Sequence, residues 1–199
     1  MTEIILRKQP RQARARASCA AIREAAARIL VQGGAGALNT NAVAEVAGVS
    51  VGTLYQYYPS KEAILAEMIR EMRGAMLADL ERARDATEGS DLRATVRLLV
   101  AASLDHHRRD PAGAEALERA EAALPMDGET ADLKARIGAL VIGVLQRHGI
   151  AAAAQAAQDL SAMTQGMAQA AVTAGEADFD ALAGRISRAA IGYLESGCN

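Results

Sequence analysis

Three of the chain's four tyrosines, Tyr55, Tyr57 and Tyr58, stand within four consecutive residues of a sequence that has one Phe and no Trp. A need to fill a core would spread such side chains out, so the crowding points to a surface that touches something. A tyrosine at such a place packs its ring against the protein and offers a hydroxyl that can bond a phosphate oxygen. Lys61 follows just past Ser60, a residue of helix-capping type, in a first helical turn whose free amides also attract phosphate. The chemistry on offer is hydrogen bonding and charge directed at a polyanion. Covalent and metal chemistry find little support. His106 and His107 are adjacent, hence about 100° apart on a helix, and no Cys or third His stands at ligand spacing, so no metal is expected. "GGAGAL" at 33–38 lacks the Lys-Ser/Thr of a phosphate loop and follows a helix instead of a strand. No Gly-x-Ser-x-Gly, no His-Glu-x-x-His and no recognisable His–Asp–nucleophile set occurs, so neither enzymatic activity nor a cofactor is expected.

Charge is distributed to match. Residues 1–62 carry eight Lys/Arg and four Asp/Glu, residues 63–199 fourteen and twenty, within a net charge of −2. A basic head on an acidic body suggests a polyanion partner at the N-terminal end only, although charge runs are usually just solvated surface. With 51% hydrophobic and 23% charged residues the chain can bury a sizeable core. Cys19 and Cys198 match no metal-ligand spacing and fit a reducing cytosol. No run of about 18 apolar residues suggests a membrane span. The basic residues Arg7, Lys8, Arg11, Arg14 and Arg16 precede no apolar h-region, which argues against a signal peptide. The expectation is a soluble cytoplasmic protein with no membrane partner.

The elements that must hold these residues read as helices throughout. Helix formers abound, β-branched alternation is absent, and Pro10, Pro59, Pro111 and Pro125 all fall where apolar periodicity breaks. The pattern predicts about nine helices: 13–32, a short one capped by Asn39 or Thr40 through Ala47, Ser50 to Tyr58, Ser60 to Arg84, then 91–109, 113–124, 129–148, 152–174 and 178–196. The predicted fold is all-α, with a basic arm over 1–12, a three-helix head over 13–60 and a helical body over 61–199.

Residues 43–58 meet the conditions for a helix-turn-helix. Two helices cross closely only with a small residue at the contact (Ala44), a glycine in the turn (Gly48, where a β-carbon would clash if φ is positive) and an apolar locking set. Val43, Ala47, Val49, Leu54 and either Tyr57 or Tyr58 supply that set at helical spacing. An ordinary helical hairpin is the plainer alternative. The stretch "RQARARASCAAIREAAARILVQGGAGALNTNAVAEVAGVSVGTLYQYYPSKEAILAEM" resembles the DNA-binding domain of the TetR family of bacterial transcriptional regulators. Tyr58 departs from the pattern, since family members usually have Phe there, and its hydroxyl then needs water or a polar partner. The resemblance implies a homodimer in which 13–60 is the three-helix DNA-binding head of each subunit and 61–199 the helical effector-binding and dimerisation body. It implies that Tyr55, Tyr57 and Lys61 contact the phosphate backbone, while Val51, Gly52, Thr53 and Gln56 face the major groove. Gln56 would pair with adenine N6 and N7, Val51 or the Thr53 methyl would touch a thymine methyl, and Gly52 would let the backbone come close. Thr40 would add a hydroxyl and its amide to phosphate, and the arm would follow the phosphates or enter the minor groove.

Two narrow stripes near the C-terminus predict a dimer interface: Leu160, Met163, Met167 and Ala171 on one helix, Phe179, Leu182, Ile186 and Tyr193 on the next. Internal core is the competing reading. Leu99, Ser103 and His106, with Met72, Met163 and Met167, form the expected effector-binding set, against the plainer reading of satisfied core residues. Together these features predict a ligand-responsive repressor that binds double-stranded DNA at a palindromic operator and is released by a small-molecule effector. A constitutive architectural DNA binder is the first alternative, and a helical adaptor or enzyme with an incidental helix-turn-helix the second.

Overall fold

Short polar side chains set the helix starts. Asn39 Oδ1 accepts from the amide of Ala42, Ser50 Oγ from Thr53, Ser60 Oγ from Ala63, and Asp91 and Asp178 do the same for Ala94 and Ala181. Each satisfies one of the amides that a helix leaves without an internal partner. Between these caps the computed structural model contains ten helices and, among the described residues, no strand. They are α1 (Ala13–Ala37), α2 (Thr40–Val46), α3 (Val51–Tyr57), α4 (Lys61–Ala86), α5 (Leu92–Ser103), α6 (Asp105–Arg109), α7 (Pro111–Ala123), α8 (Gly128–Arg147), α9 (Ala153–Thr173) and α10 (Phe179–Ser196). The structure describes residues 12–125 and 127–197. Nearly all of the basic arm expected over 1–12, with Arg7, Lys8 and Arg11, lies outside the described residues, as does Cys198. Arg14 and Arg16 belong to α1. No helix among the described residues is long and apolar enough to cross a membrane.

The chain packs as two units. The first comprises the described residues up to Met72 together with Ala112–Ala131. Its core gathers Ile22, Ala26 and Leu30 of α1, Leu38, Val43, Leu54, Tyr58 and Ile64, and is joined by Ala116 and Ala120 of α7. Arg70 of α4 binds Glu67 at 2.8 Å, Asp127 at 3.1 Å and Glu129 at 3.2 Å. Asp127 also receives the amide and hydroxyl of Thr130, so the start of α8 is capped and tied to α4 through one carboxylate.

The second unit comprises Arg73–Pro111 and the described residues from Asp132 onward. Its main core is built by α5, α8, α9 and α10 around Val100, Leu145, Leu182, Ile186 and Leu194. A smaller cluster of Met76, Leu80, Ala83 and Ala102 packs with Leu99, Ile137 and Leu140. Here one expectation is corrected. The single helix expected over 91–109 is broken at Leu104, between α5 and α6, although neither Gly nor Pro marks the spot. Ser103 Oγ donates to the Val100 carbonyl at 2.7 Å, and Arg108 Nη1 donates to the Ala101 carbonyl at 2.7 Å. These side chains take up carbonyls at the end of α5 and make the break tolerable. The residues expected at a dimer interface belong to this unit as well. Ala171, Phe179, Leu182 and Ile186 are buried inside this unit's own core, and Leu160, Met163 and Met167 pack against it partly buried. Of the eight, only Tyr193 is exposed. The stripe is real, but the chain itself covers most of it.

Candidate nucleic-acid interface

Gly48 turns the chain between α2 and α3 with φ at 66°, a backbone region that favours glycine. A β-carbon there would meet nothing within 4 Å beyond the adjacent residues, so what excludes other residues is the local backbone clash that a positive φ brings. Beyond the turn, Leu54 and Tyr58 are fully buried, four residues apart, and hold α3 against the core. Ala47, Val49 and Tyr57 pack around them partly buried. Of the two candidates for the last locking position, Tyr58 is the core residue. Periodicity then fixes what faces outward, since about 100° separates successive residues on a helix. Val51, Gly52, Tyr55 and Gln56 are exposed, and Thr53 and Tyr57 are half-buried at the margin.

The polar groups of this face are partly organised. Thr40 Oγ1, at the first position of α2, lies 3.0 Å from the Tyr55 hydroxyl on α3, so two of the expected phosphate ligands form one hydroxyl pair. Asn39, not Thr40, caps α2, which leaves the Thr40 hydroxyl for this partner. Ser50 caps α3 and shares a 2.8 Å hydrogen bond with Thr53 Oγ1, which fixes that hydroxyl at the start of the helix. Lys61 Nζ reaches the Ala35 carbonyl in the last turn of α1, just past its kink at Gly34, at 3.5 Å, a long bond that a phosphate can replace. Burial pushes the Tyr58 phenol up to about 12, against the lowering influence of Arg23, and burial likewise raises the Cys19 thiol beside it. Both groups are core residues kept neutral.

The six residues expected to bind an effector are not gathered into one cluster. Met72 is buried in the first unit. Leu99 packs with Ile137 and Leu140 in the smaller cluster of the second, while Met163 and Met167 line the main core there. Ser103 spends its hydroxyl on Val100, and the His106 ring lies 4.3 Å from that of His107, which in turn stacks on Phe179 at 6.0 Å. Sequence reasoning missed Ser50 as the cap of α3 and Arg23 as the partner of the Tyr58 hydroxyl. Serine before a short helix signals the first; the polar tip of Tyr58 demanded a partner without saying which.

A glycine-turned helix pair, one face locked into a three-helix core and the other offering hydroxyl, amide and methyl groups, defines a helix-turn-helix DNA-binding regulator. Residues 22–68 match the family model for bacterial regulatory proteins of the tetR family, and residues 91–194 that for the tetracyclin repressor-like C-terminal domain. The chain belongs to the TetR family of DNA-binding transcriptional regulators. Among curated proteins no relative matches the chain. Among solved structures it is similar to a regulatory protein of the tetR family from Rhodococcus RHA1 (20% identity, 89% of this chain and 96% of that one, TM-score 0.73). It is also similar to PfmR, a TetR family regulator from Thermus thermophilus (22%, 89% and 98%, 0.69). A third is FadR from Bacillus subtilis, solved in complex with stearoyl-CoA (19%, 90% and 99%, 0.71). At these identities the likeness concerns the fold.

Proposed function

We propose that the protein is a ligand-responsive repressor that binds a palindromic operator as a homodimer and leaves it when a small-molecule effector occupies the body. One observation carries the DNA-reading part: Val51, Gly52, Tyr55 and Gln56 stand exposed on a helix whose opposite side, Leu54 with the following Tyr58, is locked in the core. On this reading Gln56 pairs with an adenine edge, Val51 or the Thr53 methyl meets a thymine methyl, and Gly52 allows close approach. Thr40, Tyr55, Tyr57 and Lys61 hold phosphates and set the register. Residues 13–60 read DNA, and 61–199 bind the effector and the second subunit in the cytoplasm.

Pairing is needed because one seven-residue helix reaches too few bases, whereas a two-fold pair reads half-sites about one helical turn apart. With the apolar stripes of α9 and α10 largely internal, the second copy is assigned to their outward sides. These present Ala162, Gly166 and Ala170 on α9 and Ala181, Ala189, Gly192 and Tyr193 on α10. Small side chains allow helices to approach closely across such a face. The effector acts by preferring one body conformation, and a hundredfold preference supplies about 2.7 kcal/mol per site. The similarity to a regulator solved with stearoyl-CoA makes long-chain acyl-CoA the first effector to test. Selecting bound sequences from random duplex DNA with the purified protein should enrich a palindrome, and acyl-CoA should reduce the yield. Enrichment of no sequence would reject the reading. A palindrome retained against every small molecule offered would favour constitutive binding.

A further inference from the structure

Tyr58 is fully buried, and a buried hydroxyl requires a partner. Arg23 of α1 provides it, with Nη1 3.3 Å from the phenol oxygen. The same guanidinium directs Nε to Glu71 Oε2 of α4 at 3.0 Å. Tyr58 is also the residue that closes α3, its amide donating to the Leu54 carbonyl at 2.9 Å. It follows Gln56 by two positions. One arginine therefore holds the end of the recognition helix and a turn of α4 at once. Burial works against the charge of Arg23, and hydrogen bonding to Tyr58 and attraction to Glu71 outweigh it.

From this geometry we infer that Arg23 is a positioning residue for DNA reading. The Tyr58–Arg23–Glu71 strut sets the rotation and height of α3 against α1 and α4, and it does so without contacting DNA. The inference rests on the DNA-reading function proposed above. Packing alone does not account for the arrangement, because a phenylalanine would fill the same space. Apolar contact is non-directional, so a ring held by packing alone can slide; a hydrogen bond to a planar guanidinium anchored along its other edge fixes direction as well as distance. Without the strut, α3 spends part of its time displaced, and apparent affinity falls in proportion to the competent fraction.

The test uses the full-length protein, the duplex that the wild type recovers from random DNA, and a scrambled duplex of equal length. Arg23→Leu should bind the selected duplex about tenfold more weakly, the size of one lost charge-assisted hydrogen bond, and the scrambled one nearly as well as wild type. Arg23→Lys should recover part of the loss. Tyr58→Phe/Arg23→Leu should lose no more than Arg23→Leu alone, since both remove the same bond. The salt slope should not change. If Arg23→Leu does not fold, Tyr58→Phe carries the test, with about a threefold loss confined to the selected duplex. A wild-type preference for the selected duplex in Tyr58→Phe and in the folded Arg23 variants would overturn the inference. So would equal losses on both duplexes with a salt slope lower by about one, which would make Arg23 a phosphate contact. Failure of the wild type to enrich any sequence is a separate result, and it would remove the DNA-reading function and this inference together.

Discussion

Gln56 and Lys61 lie five residues apart, yet replacing each by alanine should fail in different ways. Gln56 is exposed on α3 and free to meet a base edge, so Gln56→Ala should relax the preference at one base pair by about 1–3 kcal/mol and leave the salt slope alone. Lys61 opens α4 and holds a 3.5 Å bond to the Ala35 carbonyl, which a phosphate oxygen can displace. Lys61→Ala should weaken every sequence alike and lower the slope of log affinity against log salt by about one. Fluorescence anisotropy on variant duplexes at several salt concentrations separates the two; a change in preference without a salt effect for Lys61→Ala would reverse the roles. Tyr58 gives a third test at this scale, through pH. Its phenol is raised from 10.0 to about 12 by burial, so the folded state keeps a proton that the unfolded state releases earlier. The resulting stability is fully present below pH 10.0 and is lost as pH rises toward about 12. Urea denaturation across that range should show a fall for the wild type that is shallower for Tyr58→Phe. Equal slopes would mean that the hydroxyl titrates as it does in the unfolded chain.

Elements depend on the turn at Gly48, and there the source of the constraint decides which substitutions are tolerated. Because φ is 66° and the space for a β-carbon is open, Gly48→Ala should cost about 1–2 kcal/mol, Gly48→Asn less, and Gly48→Val more than alanine. Chemical denaturation of the three variants checks the order; an asparagine as damaging as valine would point to crowding instead of torsion. This turn was readable in the sequence because its determinants are local. Gly48, the cap at Ser60 and the Leu54–Tyr58 spacing each act within a few residues of chain. Other features depend on partners far along it. Nothing about Ala116 and Ala120 distinguishes a face bound for the first unit's core from one bound for the second's. The break at Leu104 carries no Gly or Pro, because the carbonyls it frees are taken by the side chains of Ser103 and Arg108. The seven-residue spacing on α10 revealed a buried side, but periodicity does not say whether a chain buries Leu182 and Ile186 against itself or against a copy. The expected dimer contacts rest on that choice, while the exposure of Val51, Gly52, Tyr55 and Gln56 follows from Leu54 and Tyr58 pointing inward.

At the scale of the whole molecule, the question is what a second chain can still touch. With the large apolar side chains of α9 and α10 committed inside, the outward sides offer small residues, with Tyr193 bonded to Asp159 beside them. A face of glycine and alanine gains little from area per residue, so its strength must come from close backbone approach, and one long side chain in its middle should prevent that approach altogether. Gly166 and Gly192 are exposed, and a β-carbon at either would meet nothing within 4 Å inside the chain. Gly166→Arg and Gly192→Arg should therefore leave the subunit folded, and the arginine should improve helix propensity over glycine. Sedimentation equilibrium should give twice the 20.8 kDa of one chain for the wild type and the single-chain mass for these variants. DNA supplies the second readout. A variant that cannot pair binds a palindrome only one head at a time and loses the gain in effective concentration from two linked heads, on the order of a hundredfold or more, while its affinity for an isolated half-site stays unchanged. A wild type that sediments as one chain on its selected duplex would end the symmetric reading. Variants that still pair would move the interface elsewhere on the second unit, since an arginine cannot be accommodated where two helices meet through glycine.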